Sequence, residues 1–381
     1  MRLLIHDLNK EKFSEIADRY QDCTIISDDG SIRPCVGCFG CWNKDPGKCV
    51  VNDGYQDMGC LIHHAEEVIV ISRYTYGGFS GFVKNVFDRS LGYVLPHFEL
   101  VNNETHHKRR YDEDKPYTFI FYGHDLSDED REDACRYVKA VTTNMRTHVK
   151  DVIYVEIEDE PIRKKKIEDV KEDKIILLNA SMRSANGNSA KLAIELQKHL
   201  KQESEIINLS MYLNNHDELI EALAKASKIV LCMPLYVDGL PSQLIRLMEK
   251  MEREYVIPSR RIYVLSNMGL YESKQLINLL TAVKKWCKKM DFEYGGGLAV
   301  GAGELVGGFL EMSPIDKWPL KSIDAGLKKL AQTINDGDKI DDIYCGTESF
   351  PRFLYMAVAN SGWRRMGKKN GLKNSDLFRQ L

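Results

Sequence analysis

The chain has 381 residues, which is longer than one ordinary domain, so its length predicts two domains that each bury a core. Its 53 basic and 56 acidic residues give a formal net charge of -3, which excludes a long-range attraction to nucleic acid or to an anionic membrane. The opening MRLLIHDLNK reaches a charge too early for a secretory signal, and no run approaches the ~18 apolar residues of a membrane span. We therefore expect a cytoplasmic protein with no membrane span and no nucleic-acid partner, in which thiols stay reduced.

Short apolar, β-branched runs alternate with helical patterns all along the chain. The first half has MRLLIHDL, CTIIS, EEVIVIS, YTFIFYG and DVIYVEI, with predicted helices near residues 9–20, 79–92 and 127–149. The second half has KIILLNAS, EIINLS, KIVLCMP, RIYVLSN and YGGGLAVG, with predicted helices near 188–202, 217–226, 242–254 and 273–291. Strands that alternate with helices indicate parallel sheets with crossover connections. The pattern predicts an α/β chain with two tandem doubly wound sheets of five parallel strands each.

The two halves also resemble each other in sequence. VIVISRYTYGGFSGFVKNVFDR (68–89) aligns without a gap on IVLCMPLYVDGLPSQLIRLMEK (229–250), with apolar residues on apolar residues and Gly78 on Gly239. We interpret this as a tandem duplication, although units of strand, loop and amphipathic helix resemble one another in general. A charge-rich stretch at residues 157–174 predicts a linker. The predicted organisation is a first domain at 1–165, a second at 174–340 and a C-terminal helical extension at 341–381.

The first strand of the second half is followed by a polar loop, MRSANGNSAKL, which opens a helix. Such a loop can turn several backbone N–H groups toward one point, while Ser181 and Ser189 offer hydroxyls and Arg183 a charge. It lacks the endings of a nucleoside-triphosphate loop and of a dinucleotide fingerprint, so a phosphate monoester remains as the predicted ligand. The alternative is an ordinary helix N-cap made by Asn188 or Ser189.

Two further loops of the second half are expected near this one. PLYVDGLPSQL (234–244) follows the third strand and SNMGLYES (266–273) follows the fourth. In a sheet of order 2-1-3-4-5, the loops after strands 1 and 3 flank the topological switch point, where ligands bind. Tyr236 offers a ring that can lie against a flat heterocycle, and Gly239 permits close backbone approach.

These three loops resemble those of the flavodoxin-like NAD(P)H-dependent FMN reductase and quinone reductase superfamily, over about residues 174–340. The resemblance implies a flavodoxin-like sheet of order 2-1-3-4-5 in each half and FMN as cofactor. The implied phosphate ligands are Ser181, Arg183, Asn188 and Ser189. The implied residues at the flavin ring are Pro234, Leu235, Tyr236, Val237, Asp238, Gly239, Asn267, Met268 and Gly269. The first half has HDLNKEKFSEI in place of the phosphate loop, and we expect it to lack an FMN of its own.

Four cysteines lie close together in the first half, in CVGCFGCWNKDPGKC. Cys35, Cys38, Cys41 and Cys49 have the spacing C-x2-C-x2-C-x7-C, and thiolates select iron–sulfur clusters or zinc. The stretch resembles the cysteine motif of iron–sulfur flavoproteins, including the downstream Asp53, and this resemblance implies a 4Fe-4S cluster. Structural zinc, and thiols that are redox-active or inert, stay open as alternatives.

The predicted function is that of an FMN-dependent oxidoreductase. It would move electrons from NAD(P)H to a quinone, a flavin or another small acceptor, with the iron–sulfur cluster as a further carrier. Flavin supplies the hydride chemistry, so no side-chain acid or base is required and no catalytic residue is assigned. The alternatives are a non-catalytic flavin and iron–sulfur electron carrier between redox proteins, and a thiol-based sensor. Assembly into a homo-oligomer stays open.

Two other segments carry structural predictions. The polar insertion HFELVNNETHHKRRYDEDKP (97–116) predicts a mobile loop, with His106 and His107 facing solvent. The tail from residue 344 predicts an amphipathic helix that docks Trp363 on its own domain, with a membrane-surface helix as the alternative.

Overall fold

The structure, a computed structural model, describes residues 1–157, 163–170 and 172–381. The chain divides into two compact units, Met1–Glu160 with Met356–Leu381, and Pro161–Tyr355. The predicted extension at 341–381 is therefore divided between the units, and the predicted linker at 157–174 lies partly outside the described residues. No helix in the described part of the chain is long and apolar enough to cross a membrane.

The first unit contains one parallel sheet of five strands and a separate two-stranded hairpin. Its strands are β1 (Arg2–His6), β2 (Cys23–Ser27), β3 (Val68–Arg73), β4 (Val94–Val101), β5 (Glu104–Arg109), β6 (Pro116–Gly123) and β7 (His148–Glu156). Its helices are α1 (Lys10–Ser14), α2 (Gly40–Asn43), α3 (Met58–His64), α4 (Gly81–Arg89) and α5 (Asp128–Met145). The parallel sheet has the order β2-β1-β3-β6-β7. This is the predicted flavodoxin-like order 2-1-3-4-5.

Burial explains which apolar runs became central strands. Val68 to Ile71 of β3 are all buried, because β3 lies between β1 and β6 and helices cover both faces of such a sheet. All nine residues of α4, which follows β3, are buried as well. The predicted helix at 9–20 is wrong in extent: α1 ends at Ser14 and a 3-10 turn covers Ala17–Tyr20. No residue of α1 is buried, so little packing supports a longer helix.

The insertion at 97–116 is an ordered hairpin and not the mobile loop predicted from its polarity. Its strands β4 and β5 pair antiparallel. His106 is buried, with its Nδ1 atom 2.6 Å from Oδ1 of Asn144, and His107 is half-buried, with its Nδ1 atom 3.0 Å from the carbonyl oxygen of Leu95. The prediction of solvent-facing histidines was therefore wrong, because long-range partners satisfy their ring nitrogens.

The second unit has a larger sheet of the same type. Its strands are β8 (Lys165–Lys166), β9 (Glu172–Asn179), β10 (Glu203–Asn208), β11 (Ala226–Pro234), β12 (Tyr255–Val256), β13 (Arg261–Asn267), β14 (Glu293–Val300) and β15 (Ile343–Cys345). Its helices are α6 (Asn188–Gln197), α7 (His216–Lys225), α8 (Ser242–Glu254), α9 (Ile277–Met290), α10 (Gly303–Leu310) and α11 (Lys321–Asp336). A last helix, α12 (Arg352–Lys369), begins in this unit and continues into the first.

The main sheet of the second unit has the order β10-β9-β11-β13-β14-β15. Its first five strands repeat the order 2-1-3-4-5, and β15 adds a sixth parallel strand beside β14. The sixth strand was not predicted, because three residues are too few for a periodic signal. Ile175 and Leu177 of β9 belong to the same buried core as Leu192 and Leu196 of α6.

Candidate functional site

Three loops meet at the carboxyl edge of the second sheet. They follow β9, β11 and β13, which are adjacent strands. Cys232 pairs with Asn179 and Pro234 pairs with Asn267, so the strand ends are in register. The backbone N–H of Leu235 then donates to the carbonyl oxygen of Asn267 at 2.8 Å. The structure therefore brings the sequence-predicted segments at 181–189, 234–239 and 267–269 to one edge of the sheet.

The loop after β9 is organised by Asn179, the last residue of the strand. Its side-chain Nδ2 donates to the carbonyl oxygen of Ser184 at 3.1 Å, and its Oδ1 accepts the N–H of Ser181 at 3.2 Å. Both Asn179 and Ser181 are buried. Sequence reasoning missed Asn179, although a polar residue that ends an apolar strand is a signal that could have indicated it.

The helix α6 starts without a side-chain cap. Its N-cap residue is Gly187, and Asn188 and Ser189 lie in the first turn, so the alternative in which one of them caps the helix was wrong. The backbone N–H groups of Asn188 and Ser189 have no acceptor within the described part of the chain. Because the first turn of a helix presents unpaired donors and a positive dipole end, it can bind an anion. The donor set fits a phosphate group.

The remaining predicted phosphate ligands surround this helix start. The Ser189 hydroxyl donates to Oδ1 of Asn267 at 2.6 Å, and Ser189 is buried. The Asn188 side chain lies against Gly307 of α10. Arg183 is partly exposed, and its Nη1 lies 3.8 Å from an oxygen of the exposed Glu304 carboxylate. An exposed ion pair at this distance contributes little to stability.

The loop after β11 is a tight turn. The N–H of Tyr236 donates to the carbonyl oxygen of Gly239 at 3.1 Å, and the N–H of Gly239 donates back to that of Tyr236 at 3.0 Å. The two residues between them have positive φ, 34° at Val237 and 59° at Asp238. Such a conformation is costly for a β-branched residue, and strain of this kind is concentrated at functional sites. Pro234 to Val237 are half-buried, while Asp238 and Gly239 are buried.

The loop after β13 is held in place by hydrogen bonds to Val300, Gly303 and Tyr355. Met268 is buried, and its N–H donates to the carbonyl oxygen of Val300 at 3.1 Å. The N–H of Gly303, the first residue of α10, donates to the carbonyl oxygen of Met268 at 2.6 Å. The buried phenol of Tyr355 donates to the carbonyl oxygen of Gly269. Tyr355 lies 86 residues from Gly269, so no local pattern could have indicated this support.

The first unit has the same turn but a different first loop. Thr75 and Gly78 exchange backbone hydrogen bonds of 2.9 and 3.0 Å, as Tyr236 and Gly239 do. In place of a phosphate loop, the carboxylate of Asp7 accepts the N–H of Arg73 at 3.0 and 3.2 Å. Burial raises the pKa of Asp7 to about 6. The first unit therefore shares the turn of the second unit and has the Asp7 carboxylate where the second unit has its polar loop.

The four clustered cysteines of the first unit differ in exposure. Cys38 is exposed, and Cys35, Cys41 and Cys49 are partly covered. Burial raises the pKa of Cys35 to about 12, and burial together with the neighbouring thiols raises the pKa of Cys41 well above its usual value. For Cys35 and Cys41, negative charge on the neighbouring thiols adds to the effect of burial, and a bound cation would relieve that repulsion.

The charge partner of this group was not predicted. The Nε of Arg89 donates to the Sγ atom of Cys49 at 3.2 Å. The same buried guanidinium binds both oxygens of Asp53, from Nη1 at 2.6 Å and from Nη2 at 2.9 Å. Such bidentate pairs are rigid, and they orient a neighbouring ligand. Arg89 and Asp53 thereby fix the position of Cys49.

The four Sγ atoms are not gathered into one tight group. Among the described residues, no three of the four Sγ atoms lie within 4.8 Å of one another. A single tetrahedral zinc with bonds of about 2.3 Å needs thiolates about 3.8 Å apart. Four thiols form a donor set that iron–sulfur clusters and zinc both use.

No family model matches the chain. An iron–sulfur flavoprotein of Methanocaldococcus jannaschii is 32% identical over 84 residues, which are 22% of this chain and 42% of the relative. The chain thus spans less than half the length of this relative. With the strand order of both sheets, the match supports the resemblance to the flavodoxin-like FMN reductase and iron–sulfur flavoprotein superfamily.

Solved structures similar to this chain share little sequence with it. An azoreductase from Bacillus anthracis str. Sterne is 14% identical, over 43% of this chain and 100% of that chain, with a TM-score of 0.31. The Trp repressor binding protein from Bacillus subtilis is 16% identical, over 37% of this chain and 99% of that chain, with a TM-score of 0.28. A flavodiiron core from Synechocystis sp. PCC6803 is 10% identical, over 85% of this chain and 79% of that chain, with a TM-score of 0.28. The fold assignment rests on the strand order and not on these structures.

Proposed function

We propose that the chain is an FMN-dependent oxidoreductase, with FMN held by the second unit and a 4Fe-4S cluster held by the first. The observation that carries the proposal is the uncapped start of α6, beside the buried Ser181 and Ser189, at the same sheet edge as the tight turn at 236–239. The similarity to the Methanocaldococcus iron–sulfur flavoprotein supports both cofactors.

The phosphate end of FMN is assigned to the first loop. The N–H groups of Asn188 and Ser189, the hydroxyl of Ser181 and the guanidinium of Arg183 are the proposed donors for its oxygens, while the Ser189 hydroxyl keeps its hydrogen bond to Asn267. A helix N-terminus adds about 0.3–1 kcal/mol for a negative charge, and more where the site is partly buried. Because Ser181 is buried, its hydroxyl would bind the phosphate away from competing water.

The ring end of FMN is assigned to the other two loops. The residues proposed along its edges are Pro234, Leu235, Tyr236, Val237, Asp238, Gly239, Asn267, Met268 and Gly269. Bound FMN supplies the hydride and electron chemistry, and these residues orient it and exclude water. The backbone N–H groups of the turn are the proposed donors that stabilise negative charge on the ring. NAD(P)H is the proposed electron donor, and a quinone, a flavin or another small molecule the acceptor.

The cluster is assigned to Cys35, Cys38, Cys41 and Cys49. Three of these are partly covered and Cys38 is exposed. An exposed ligand shortens the distance to a partner protein, and this favours a second candidate function, a non-catalytic electron carrier between redox proteins.

Anaerobic purification followed by an absorption spectrum, flavin and iron analysis, and FMN titration tests the cofactors. Steady-state NAD(P)H oxidation with a quinone then separates the two functions. Rapid turnover supports the enzyme, and bound flavin without turnover supports the carrier. Colourless protein that does not bind added FMN would contradict both.

A further inference from the structure

The C-terminal segment, defined as residues 356–381, lies against the cysteine segment, defined as residues 35–49. Trp363, which is 6% exposed, meets the rings of Phe39 and Trp42 edge-on, at centroid distances of 5.3 and 5.2 Å. Phe39 and Trp42 are themselves stacked at 5.3 Å. Phe39 directly follows Cys38 and Trp42 directly follows Cys41, so Trp363 packs on the part of the cysteine segment that carries two of the four thiols.

Polar contacts extend this packing along residues 43–46. The side-chain Nδ2 of Asn370 donates to the carbonyl oxygen of Asn43 at 2.7 Å. The guanidinium of Arg379 donates to the carbonyl oxygen of Pro46 at 3.0 Å and forms an ion pair with Asp45. The C-terminal segment therefore holds the cysteine segment at several points between Cys41 and Cys49.

Arg110 joins the C-terminal segment to the backbone at Gly92, which touches the cysteine segment. It is 3% exposed, and its Nε donates to the carbonyl oxygen of Gly92 at 2.7 Å. Its Nη1 donates to the carbonyl oxygens of Leu377 at 3.1 Å and Arg379 at 2.7 Å. Gly92 in turn touches the cysteine segment, since a Cβ atom there would lie 2.6 Å from the carbonyl oxygen of Gly47.

These contacts form a closed ring through four parts of the first unit. The cysteine segment rests on the backbone at 91–94, where Trp42 Nε1 donates to the carbonyl oxygen of Val94 at 2.9 Å. Arg110 joins that backbone to the C-terminal segment, which returns to the cysteine segment through Trp363 and Arg379. The cysteine segment itself contains only the four-residue helix α2, which is too short to be stable alone.

We infer that the C-terminal segment is a clasp that holds the cysteine segment in its ligand-binding conformation, with Trp363 and Arg110 as positioning residues. The inference rests on the proposed role of the four cysteines as ligands. Ordering a loop costs conformational entropy, and the clasp offsets that cost before any metal binds. Release of the clasp would expose Cys41 and loosen the spacing of the four thiols.

Thiol labelling of the full chain, reduced and free of metal, tests the clasp. The reagent is N-ethylmaleimide, and mass spectrometry follows each cysteine separately. We expect Trp363→Ala to raise the labelling rate of Cys41 about tenfold or more, because two edge-on ring contacts are lost and labelling follows the open population. Cys38 is exposed already and should change little. Trp363→Phe should restore most of the protection.

The controls separate release of the clasp from unfolding. Val358→Ala changes an exposed apolar residue of the same helix and should leave all rates unchanged. Cys135, which lies elsewhere in the first unit beside Tyr154, reports unfolding of that unit. If Trp363→Ala raises the labelling rate of Cys135 as much as that of Cys41, the milder variant Arg379→Ala is the deciding test. We expect Arg379→Ala to raise the labelling rate of Cys41 about two- to fivefold.

An unchanged rate at Cys41 in a natively folded Trp363→Ala variant would overturn the inference, as would an unchanged rate in Arg379→Ala where that variant decides. Iron reconstitution gives the second readout, and loss of iron to a chelator should be faster from Trp363→Ala than from Val358→Ala. If the parent protein takes up no iron, the proposed ligand role fails, yet the labelling rates still decide whether the clasp exists.

Discussion

The hydroxyl of Ser189 donates a hydrogen bond of 2.6 Å to Oδ1 of Asn267, and so joins the start of α6 to the end of β13. Both side chains are buried, at 1% and 6% exposure. The proposed phosphate loop and the third loop are therefore one connected structure. A change at Ser189 should affect both ends of a bound FMN.

Ser189→Ala should weaken FMN binding about tenfold, because it removes the buried hydrogen bond that holds Asn267 against the start of α6 and leaves Oδ1 of Asn267 without this donor. Ser189→Asp should weaken it by about a hundredfold or more, because a carboxylate would then face the phosphate. Fluorescence titration with FMN measures both. Ser313→Asp, which adds the same charge in the same unit where the hydroxyl meets only the neighbouring Pro314, should bind FMN normally. Equal affinities in Ser189→Asp and the parent would contradict the site.

Two adjacent glycines of α10 give a matched pair of substitutions. A Cβ atom on Gly307 would lie 1.9 Å from Oδ1 of Asn188, whereas one on Gly308 would meet nothing within 4 Å. Gly307→Ala should push Asn188 away and lower FMN affinity about tenfold. Gly308→Ala should leave the affinity unchanged and raise the free energy of unfolding by about 0.5–1 kcal/mol. Isothermal titration and chemical denaturation measure the two effects, and equal FMN affinities would place Asn188 outside the site.

The alternation of strands and helices and the polar character of the first loop were readable from the sequence, because both depend on local pattern. Buried runs such as VIVIS and KIVLCMP alternate with helices, and the order 2-1-3-4-5 followed from the resemblance and was confirmed in both units. The loop from Ser181 to Ser189 was indicated by its Ser, Asn and Gly content. Its capping geometry was not, since only the structure shows that Gly187, and not Asn188, is the N-cap.

What the sequence did not indicate depends on contacts between distant residues. The hairpin at 94–109 reads as polar, yet the N–H of Phe98 donates to Oδ1 of Asn360, 262 residues away. Tyr355 supports Gly269, and Arg110 binds the backbone of Leu377 and Arg379, without any periodic signal. The strand β15 is too short to be recognised alone, and it forms because β14 offers an open edge. These contacts join residues that are far apart in the sequence, so no local pattern indicates them.

Substitution of any of the four clustered cysteines should remove bound iron, whereas substitution of a cysteine outside the motif should not. Alanine at Cys35, Cys38, Cys41 or Cys49 should each remove most of the bound iron and the visible iron–sulfur absorption, because each thiolate is a proposed ligand. Cys60→Ala is the control, since the Cys60 thiol lies beside His64 at 3.3 Å and outside the motif. Metal analysis with absorption spectroscopy measures the result. Stoichiometric zinc in colourless protein would replace the cluster with the zinc alternative.

The turn at Val237 is strained, so a substitution that relieves the strain should stabilise the protein and weaken FMN binding. A left-handed conformation costs an ordinary residue about 1–2 kcal/mol, and asparagine tolerates it better. Val237→Asn should therefore raise the free energy of unfolding by about 1 kcal/mol and weaken FMN binding, because Val237 is proposed to edge the ring. Val256→Asn, at an exposed position in β12, should not stabilise the protein. Chemical denaturation with FMN titration measures both, and a less stable Val237→Asn protein would show that the turn is not strained.

Asp7 should give the first unit a measurable pH dependence. Burial raises the pKa of its carboxyl to about 6, whereas an aspartate in the unfolded chain titrates near 4. Between these values the folded state keeps a proton that the unfolded state has lost, so the free energy of unfolding should fall as the pH rises from about 4 to about 6. Asp7→Asn should remove this decrease, which is on the order of 1–2 kcal/mol, when denaturation is measured across that range. Asp112→Asn, at an exposed position, should keep the decrease of the parent protein. If Asp7→Asn and the parent differ by the same free energy at every pH, the Asp7 carboxyl does not titrate in this range.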